Sequence, residues 1–274
     1  MSLFQALFLG IIQGATEFLP ISSSGHLVLA PWLLGWHFDP RQAFIFDVLV
    51  QWGTILAVIL YFRQDLLQLM VAGLRSLRNG TAWKDPDARL AWAIVLASIP
   101  AAVLGLLLKS LVENTFGSSL AVSAFLMGTA LILILSERLS KLDRTMESLS
   151  WLDALWIGAF QALALFPGIS RSGATIAGGL LRGFQREQAA RFSFILAVPT
   201  MLGAGVIALR DLGQAGDVTA QLAPLAVGFL AAAIVGFFAI HWFLSFLRQQ
   251  RLYGFAVYCA MVSLGSFLVY GLRL

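Results

Sequence analysis

Polar residues are sparse along this chain and gathered into a few places, so the pattern is one of long apolar runs and not of one-faced stripes. Runs long enough to cross a hydrocarbon core of roughly 30 Å lie at about 44–62, 90–108, 119–136, 191–209, 223–245 and 253–271. Two other apolar stretches are broken. Residues 2–19 carry Gly10, Gln13, Gly14, Thr16 and Glu17 and stop at Pro20, and 26–36 is too short to span. Residues 156–181 repeat that broken pattern around Pro167-Gly168. Each stretch predicts a helix-loop-helix hairpin that enters the membrane and turns back. Irregular backbone at that depth is tolerable where protein or a water-filled cavity surrounds it.

The order is therefore a hairpin plus three spans, twice over: an all-α polytopic membrane protein with a single membrane domain, 1–274. Repeat 1 covers about 1–137, with its hairpin at 2–36 and spans at 44–62, 90–108 and 119–136. Repeat 2 covers about 150–274, with its hairpin at 156–181 and spans at 191–209, 223–245 and 253–271. Three spans between the hairpins place the second copy upside down relative to the first, an inverted-topology repeat whose site is expected near the midplane.

Composition agrees: 59% of residues are hydrophobic and 12% charged, and a soluble helical bundle would need polar faces that are missing here. The stretch Met1-Ser-Leu-Phe-Gln has no basic leader, so no cleaved signal peptide is expected. Cys259 lies in an apolar run and reads as packing, as do Gly203, Ala204 and Gly205. His241 reads as structural. The net charge of +4 does not point to nucleic acid; it points to basic loops on one side of the membrane. With the termini assigned to one side, that side receives Arg41, Lys109, Arg210 and Arg273. The other receives Arg63, Arg75, Arg78, Lys84, Arg89, Arg138, Lys141, Arg144, Arg182, Arg186, Arg191, Arg248 and Arg251. By the positive-inside rule the rich side is cytoplasmic, which puts both termini outside.

The two hairpins carry the polar chemistry. Positions 10–25 and 158–173 align without gaps at Gly10/Gly158, Gln13/Gln161, Phe18/Phe166, Ile21/Ile169, Ser22/Ser170, Ser24/Ser172 and Gly25/Gly173. They differ where chemistry would differ: Glu17 faces Leu165, Ser23 faces Arg171 and His26 faces Ala174. Ser22-Ser23-Ser24-Gly25 leads into a helix near His26, and Ser170-Arg171-Ser172-Gly173 into one near Ala174. A helix N-terminus offers unpaired N–H groups and a partial positive charge, so two such ends facing each other suit an anion, above all a phosphate. Gly25 and Gly173 allow close backbone approach. The hydroxyls of Ser22, Ser23, Ser24, Ser170, Ser172 and Thr175 add donors, and Arg171 adds a planar fork for phosphate oxygens. An arginine near the bilayer centre costs at least about 2.5–3.5 kcal/mol, which argues for a function over a snorkelling charge. Glu17 could instead be a protonated buried carboxyl, and His26 a polar helix-start residue. Asp47 and Gln51, at i and i+4, could support the site or only join helices.

The stretches Gln13-x-x-x-Glu17-Phe-Leu-Pro-Ile-Ser-Ser-Ser-Gly-His26 and Pro167-Gly-Ile-Ser-Arg-Ser-Gly-Ala-Thr175 resemble the two signature motifs of the bacterial undecaprenyl-pyrophosphate phosphatase family, BacA/UppP. The resemblance extends over the whole chain in length, motif separation and hydrophobic plan. It implies removal of the terminal phosphate of the C55 isoprenoid pyrophosphate, recycling the carrier for peptidoglycan synthesis and giving bacitracin resistance. It implies a place in the bacterial inner membrane, with a site opening to the periplasmic side. By position it makes Glu17 the essential carboxylate, His26 the essential histidine, Ser23 the proposed nucleophile and Arg171 the phosphate-binding arginine. Many members carry a second glutamate where Gln13 stands, so a two-carboxylate model is weakened here. The divalent cation the family implies, Mg²⁺ or Ca²⁺, would rest on Glu17 and substrate oxygens. A homodimer is left open.

The expectation is phosphoanhydride hydrolysis, with Arg171 and the two helix ends stabilising charge on the transferring phosphoryl group. Ser23 attacks or orients water, and either Glu17 or His26 takes the proton. The rival is a lipid-phosphate transporter or flippase on the same inverted-repeat plan. A third reading, a phosphohistidine lipid phosphatase, would want a second motif histidine.

Overall fold

The computed structural model describes residues 1–212 and 222–273, and at positions 40–42, 113, 204 and 206–212 the backbone alone. Twelve α-helices run through the described residues. They are α1 (Leu3–Phe18), α2 (Ser23–Leu34), α3 (Pro40–Tyr61), α4 (Arg63–Asn79), α5 (Pro86–Leu107) and α6 (Lys109–Phe116). After them come α7 (Ser119–Leu139), α8 (Trp151–Leu163), α9 (Arg171–Leu181), α10 (Arg186–Leu212), α11 (Leu222–Leu247) and α12 (Tyr253–Leu272). The described residues hold no strand, only one isolated bridge between Arg144 and Phe184. Among them α3, α5, α7, α11 and α12 are long and apolar enough to cross a membrane. The span expected at 191–209 falls in α10, whose outer side chains, Arg210 among them, lie outside the described residues, as does that of Arg41.

The outward faces carry large apolar side chains such as Leu106, Leu107, Leu135, Phe238, Met261 and Leu268. Lipid, not water, is the solvent such a surface suits. The interior is packed around aromatic rings: Phe18 meets Phe194 edge-on with centroids 5.3 Å apart, and Phe194 in turn touches Phe62 and Phe243. This cluster fixes the end of α1 against α10, one residue from Glu17. Small residues let the short helices press on the long ones. A methyl at Gly10 would stand 2.5 Å from the carbonyl oxygen of Gly228 in α11, and one at Gly158 2.5 Å from that of Ala97 in α5. Gly205 packs on Trp52 as expected, whereas Gly203 faces open space and the side chain of Ala204 lies outside the described residues.

The 148-residue correspondence extends to the start of each hairpin. Ser2 caps α1 by accepting from Gln5 N at 3.2 Å, while the Gln5 side chain accepts from Ser2 N at 2.8 Å. Ser150 and Asp153, at the same offset, form the same capping box on α8. Both boxes satisfy orphan donors reciprocally.

Two stretches expected as loop are helices, α6 between the expected spans 90–108 and 119–136 and the longer α4. The segment carrying Arg63, Arg75 and Arg78 forms α4, closed by Gly80 with φ 65° and followed by α5, whose N-cap Asp85 accepts from Ala88 N at 2.8 Å. Its outer face, Leu67, Met70, Val71, Leu74 and Leu77, is exposed and spaced for a helix, a pattern masked by the interleaved arginines.

The arginine-rich end is tied by ion pairs. Asp153, fully buried, accepts from Arg144 at 2.8 Å and Arg182 at 2.5 Å. Burial alone would raise the Asp153 carboxyl, but hydrogen bonds from Arg144, Ser150 and Arg182 outweigh it and hold it below the usual carboxylate range. Arg186 grips Glu137 with two bonds at 2.8 and 2.6 Å, and Glu137 also accepts from Leu252 N at 2.9 Å. These contacts anchor α7, α8, α9 and α12 at one end, so the opposite ends of α8 and α9 are held in place.

Candidate active site

The tip between α1 and α2 and the tip between α8 and α9 meet. A methyl at Gly25 would stand 3.3 Å from the Cα of Gly168, and one at Gly173 3.3 Å from the Cβ of Pro20. Ser172 Oγ donates to Leu19 O at 2.9 Å, crossing from one tip to the other.

The tips are built alike. Ser22 Oγ accepts from Gly25 N at 3.2 Å and Ser170 Oγ from Gly173 N at 3.0 Å, each serine capping its helix. Ser22 and Ser24 hydroxyls lie 3.3 Å apart, those of Ser170 and Ser172 3.1 Å apart. With the third amide capped, the first amides of α2 and α9 have no partner within their own helices. The turns differ, however. The second places its left-handed residue at Gly168, φ 104°, which glycine tolerates, whereas the first places it at Ser22, φ 68°. A non-glycine residue in that region stores strain of about 1–3 kcal/mol, and such strain concentrates at functional sites.

Two of the three aligned differences, Glu17/Leu165 and Ser23/Arg171, assemble into one cluster across the junction. Glu17, 7% exposed, accepts from three side chains. Ser23 Oγ donates to its Oε2 at 2.7 Å, Gln13 Nε2 to the same oxygen at 2.8 Å, and Arg171 Nη2 to Oε1 at 2.9 Å. Arg171 also donates to Ser193 O at 3.3 Å, and Thr175 Oγ1 lies 2.6 Å from Ser193 Oγ. The carboxylate is thus buried against an arginine, the kind of partner a buried acidic side chain needs.

His26 stands apart from that cluster. Its Nδ1 lies 2.8 Å from Ser22 O and its Nε2 2.8 Å from the hydroxyl of Tyr258 in α12. Among the described residues, the side chains of Asp47 and Gln51 make no hydrogen bond to Glu17, Ser23, Arg171 or His26. Three contributing residues were not expected: Ser193, Tyr258 and Thr129. Thr129 Oγ1 donates to Gly168 O at 2.8 Å and accepts from Ser170 N at 3.0 Å. None stands in a motif, and each shares its helix with other polar residues, so the sequence carries no signal that singles them out.

For a divalent cation the donor set is small. Among the described residues no cluster of three or more His, Cys, Asp or Glu side chains exists. The Oε1 of Gln13 is buried without a hydrogen-bond partner beside Glu17, an oxygen that a hard cation or a water would use. A Mg²⁺-type ion commonly takes one or two protein oxygens plus substrate phosphates, and these residues fit that sparse role, not a resident cage.

A buried carboxylate bonded to Ser23 and Arg171 where two helix N-termini meet, in a chain with five described helices long and apolar enough to cross a membrane, marks a polytopic α-helical membrane protein. Comparison with known proteins narrows the class. The family model described as bacitracin resistance protein BacA matches residues 6–265. A Myxococcus xanthus protein named undecaprenyl-diphosphatase is 44% identical over 98% of this chain and 89% of its own length. A Methanobrevibacter smithii protein of the same name is 40% identical over 98% of both, and one from an Anaeromyxobacter is 46% identical over 94% of this chain and 84% of its own. The chain belongs to the BacA family.

Proposed function

We propose that this protein is a membrane phosphatase that hydrolyses undecaprenyl diphosphate to undecaprenyl phosphate and inorganic phosphate, the activity its relatives' names state. The carrying observation is the Ser23–Glu17–Arg171 contact, at 2.7 and 2.9 Å, between tips whose helix ends suit a phosphate. Transport needs anion binding alone. A hydroxyl poised on a carboxylate is the arrangement of an activated nucleophile.

In this reading Ser23 Oγ attacks the terminal phosphorus as Glu17 takes its proton. The bond from that phosphorus to the bridging oxygen breaks, and undecaprenyl phosphate leaves with the bonding pair. Water then cleaves the phosphoserine to give inorganic phosphate and regenerate the hydroxyl, the carboxyl returning the proton. Glu17 is assigned as the base over His26 because Glu17 touches the hydroxyl and both ring nitrogens of His26 are engaged elsewhere. The diphosphate competes with Glu17 for Arg171, so its arrival frees the carboxylate from its counter-ion as it is asked to accept a proton. Ser22, Ser24, Gly25, Ser170, Ser172, Gly173 and Thr175 shape the oxyanion pocket directly or by capping. A divalent cation held by Glu17 and Gln13 Oε1 would supply neutralisation of diphosphate charge.

The fold reading that belongs with this is two inverted copies with re-entrant hairpins, repeat 1 about 1–137 and repeat 2 about 150–274. The arginine-rich loops are then cytoplasmic, and the termini and site opening face the periplasm. The lipid tail is placed on the side of α2, where three of twelve residues are buried, against nine of eleven in α9.

The test is release of inorganic phosphate from C55 diphosphate by purified protein in detergent. The reading requires release by wild type and its loss in Glu17→Ala and Arg171→Ala. Lipid movement in vesicles with no release above the variants would replace it with the transporter.

A further inference from the structure

The two tips pose the same problem of holding a helix start in register, and the molecule solves it differently on each side. The tip at Gly168–Ser170 is held by Thr129 of α7, whose hydroxyl bonds the backbone on both sides of the turn. Among the described residues no single hydroxyl bonds both sides of the turn at Pro20–Ser22; Ser172 Oγ bonds only Leu19 O before it. That turn is reached from α12, the last long helix of the other half, by two successive residues. Cys259 Sγ lies 3.7 Å from Pro20 O, and Tyr258 bonds His26.

The His26 contacts are informative about protons. A carbonyl oxygen only accepts, so the 2.8 Å contact to Ser22 O requires hydrogen on Nδ1. In the neutral ring Nε2 is then a lone-pair acceptor, and Tyr258 must donate to it. The Tyr258 and His26 rings lie within 7° of parallel with centroids 5.6 Å apart, so the phenol also limits the imidazole's rotation. Ser22 O, the far end of this chain of bonds, belongs to the residue with the strained φ of 68° and accepts from His26 N as well.

We infer that Tyr258 is a positioning residue of the reaction: its hydroxyl, donating to Nε2, holds the orientation in which His26 Nδ1–H meets Ser22 O, and through Ser22 it holds the turn that presents Ser23 to Glu17. The inference rests on the phosphatase reading for its kinetic consequence but not for its chemical one. It makes α12 part of the site, although no motif lies there.

The chemical arm uses ¹⁵N-histidine-labelled protein in detergent at a pH where the ring is neutral. The chain has three histidines, so His26→Gln assigns the signal. Wild type is expected to show a protonated Nδ1 and a hydrogen-bonded, unprotonated Nε2 at His26, and Tyr258→Phe to move the Nε2 resonance to that of a lone pair without a donor. The kinetic arm measures phosphate release: Tyr258→Phe is expected to lower kcat about 10- to 100-fold, with KM within about twofold and the thermal denaturation midpoint unchanged. Wild-type kcat in a folded Tyr258→Phe overturns the inference. So does a wild-type spectrum with hydrogen on Nε2, which needs no variant to fold. If wild type releases no phosphate, the phosphatase reading fails instead, and the spectrum still decides the Tyr258–His26 contact.

Discussion

Arg171 Nη2 lies 2.9 Å from Glu17 Oε1, although 154 residues separate the two in the chain. Each sits at the position where its own tip departs from the other. Neither tip holds both a proton acceptor and a fixed cation; only their junction does.

Replacing the acceptor tests the role given to Glu17. Glu17→Gln keeps size and polarity but cannot take the Ser23 proton, and kcat is expected to fall about 100- to 10,000-fold. Phosphate release at saturating lipid checks this. A variant retaining a tenth of wild-type kcat would move the base elsewhere.

Arg171→Lys keeps the charge and loses the fork. A point charge on a flexible stem cannot hold Glu17 and Ser193 O together. The expected loss in kcat/KM is about 100-fold or more; near-wild-type kinetics would show that charge alone suffices.

Thr129→Val keeps shape and removes both bonds to the Gly168–Ser170 turn. The buried Gly168 carbonyl and Ser170 amide lose their partner, a cost of about 1–3 kcal/mol each before relaxation. The thermal midpoint in detergent should fall measurably, with activity falling alongside it. An unchanged midpoint would mean the tip is held by other contacts.

Asp153 gives stability a pH dependence. Its folded carboxyl is held below the usual range by Arg144, Ser150 and Arg182 acting against burial. Its contribution is therefore complete above about pH 4, where an unfolded aspartate is ionised, and is lost as pH falls through the lower folded value. Asp153→Asn should lower stability at neutral pH, on the order of 2 kcal/mol, and flatten the acid limb of a stability–pH profile measured by thermal denaturation.

Much of this was legible in the residues, for specific reasons. Broken apolar runs marked α1–α2 and α8–α9, because Pro20 and Pro167-Gly168 interrupt helices that lipid would otherwise favour. The gapless alignment paired Ser22 with Ser170, and in the structure both cap their helices. It also set Glu17 and Arg171 on opposite tips; that they touch needed the packing of Phe18 on Phe194 and the ion pairs behind α8 and α9. The capping boxes at Ser2–Gln5 and Ser150–Asp153 follow the same offset and were available to a longer alignment. The α4 helix was obscured because its charges suggested a loop. Thr129, Ser193 and Tyr258 were not legible: each contributes one polar group from a helix distant in sequence, and only tertiary structure brings it to a tip. For Asp47 and Gln51, helical spacing described a shared face of α3 without saying which neighbour that face meets.

The central claim is that the two tips form a single catalytic unit, and a double-mutant cycle on kcat/KM tests it most directly. Glu17→Gln, Arg171→Ala and the double variant are compared with wild type for phosphate release from C55 diphosphate. Residues that act as a unit are strongly non-additive. The double variant should therefore lose little more than the worse single one. If the two losses multiply, Glu17 and Arg171 act independently, and the shared site described here is contradicted.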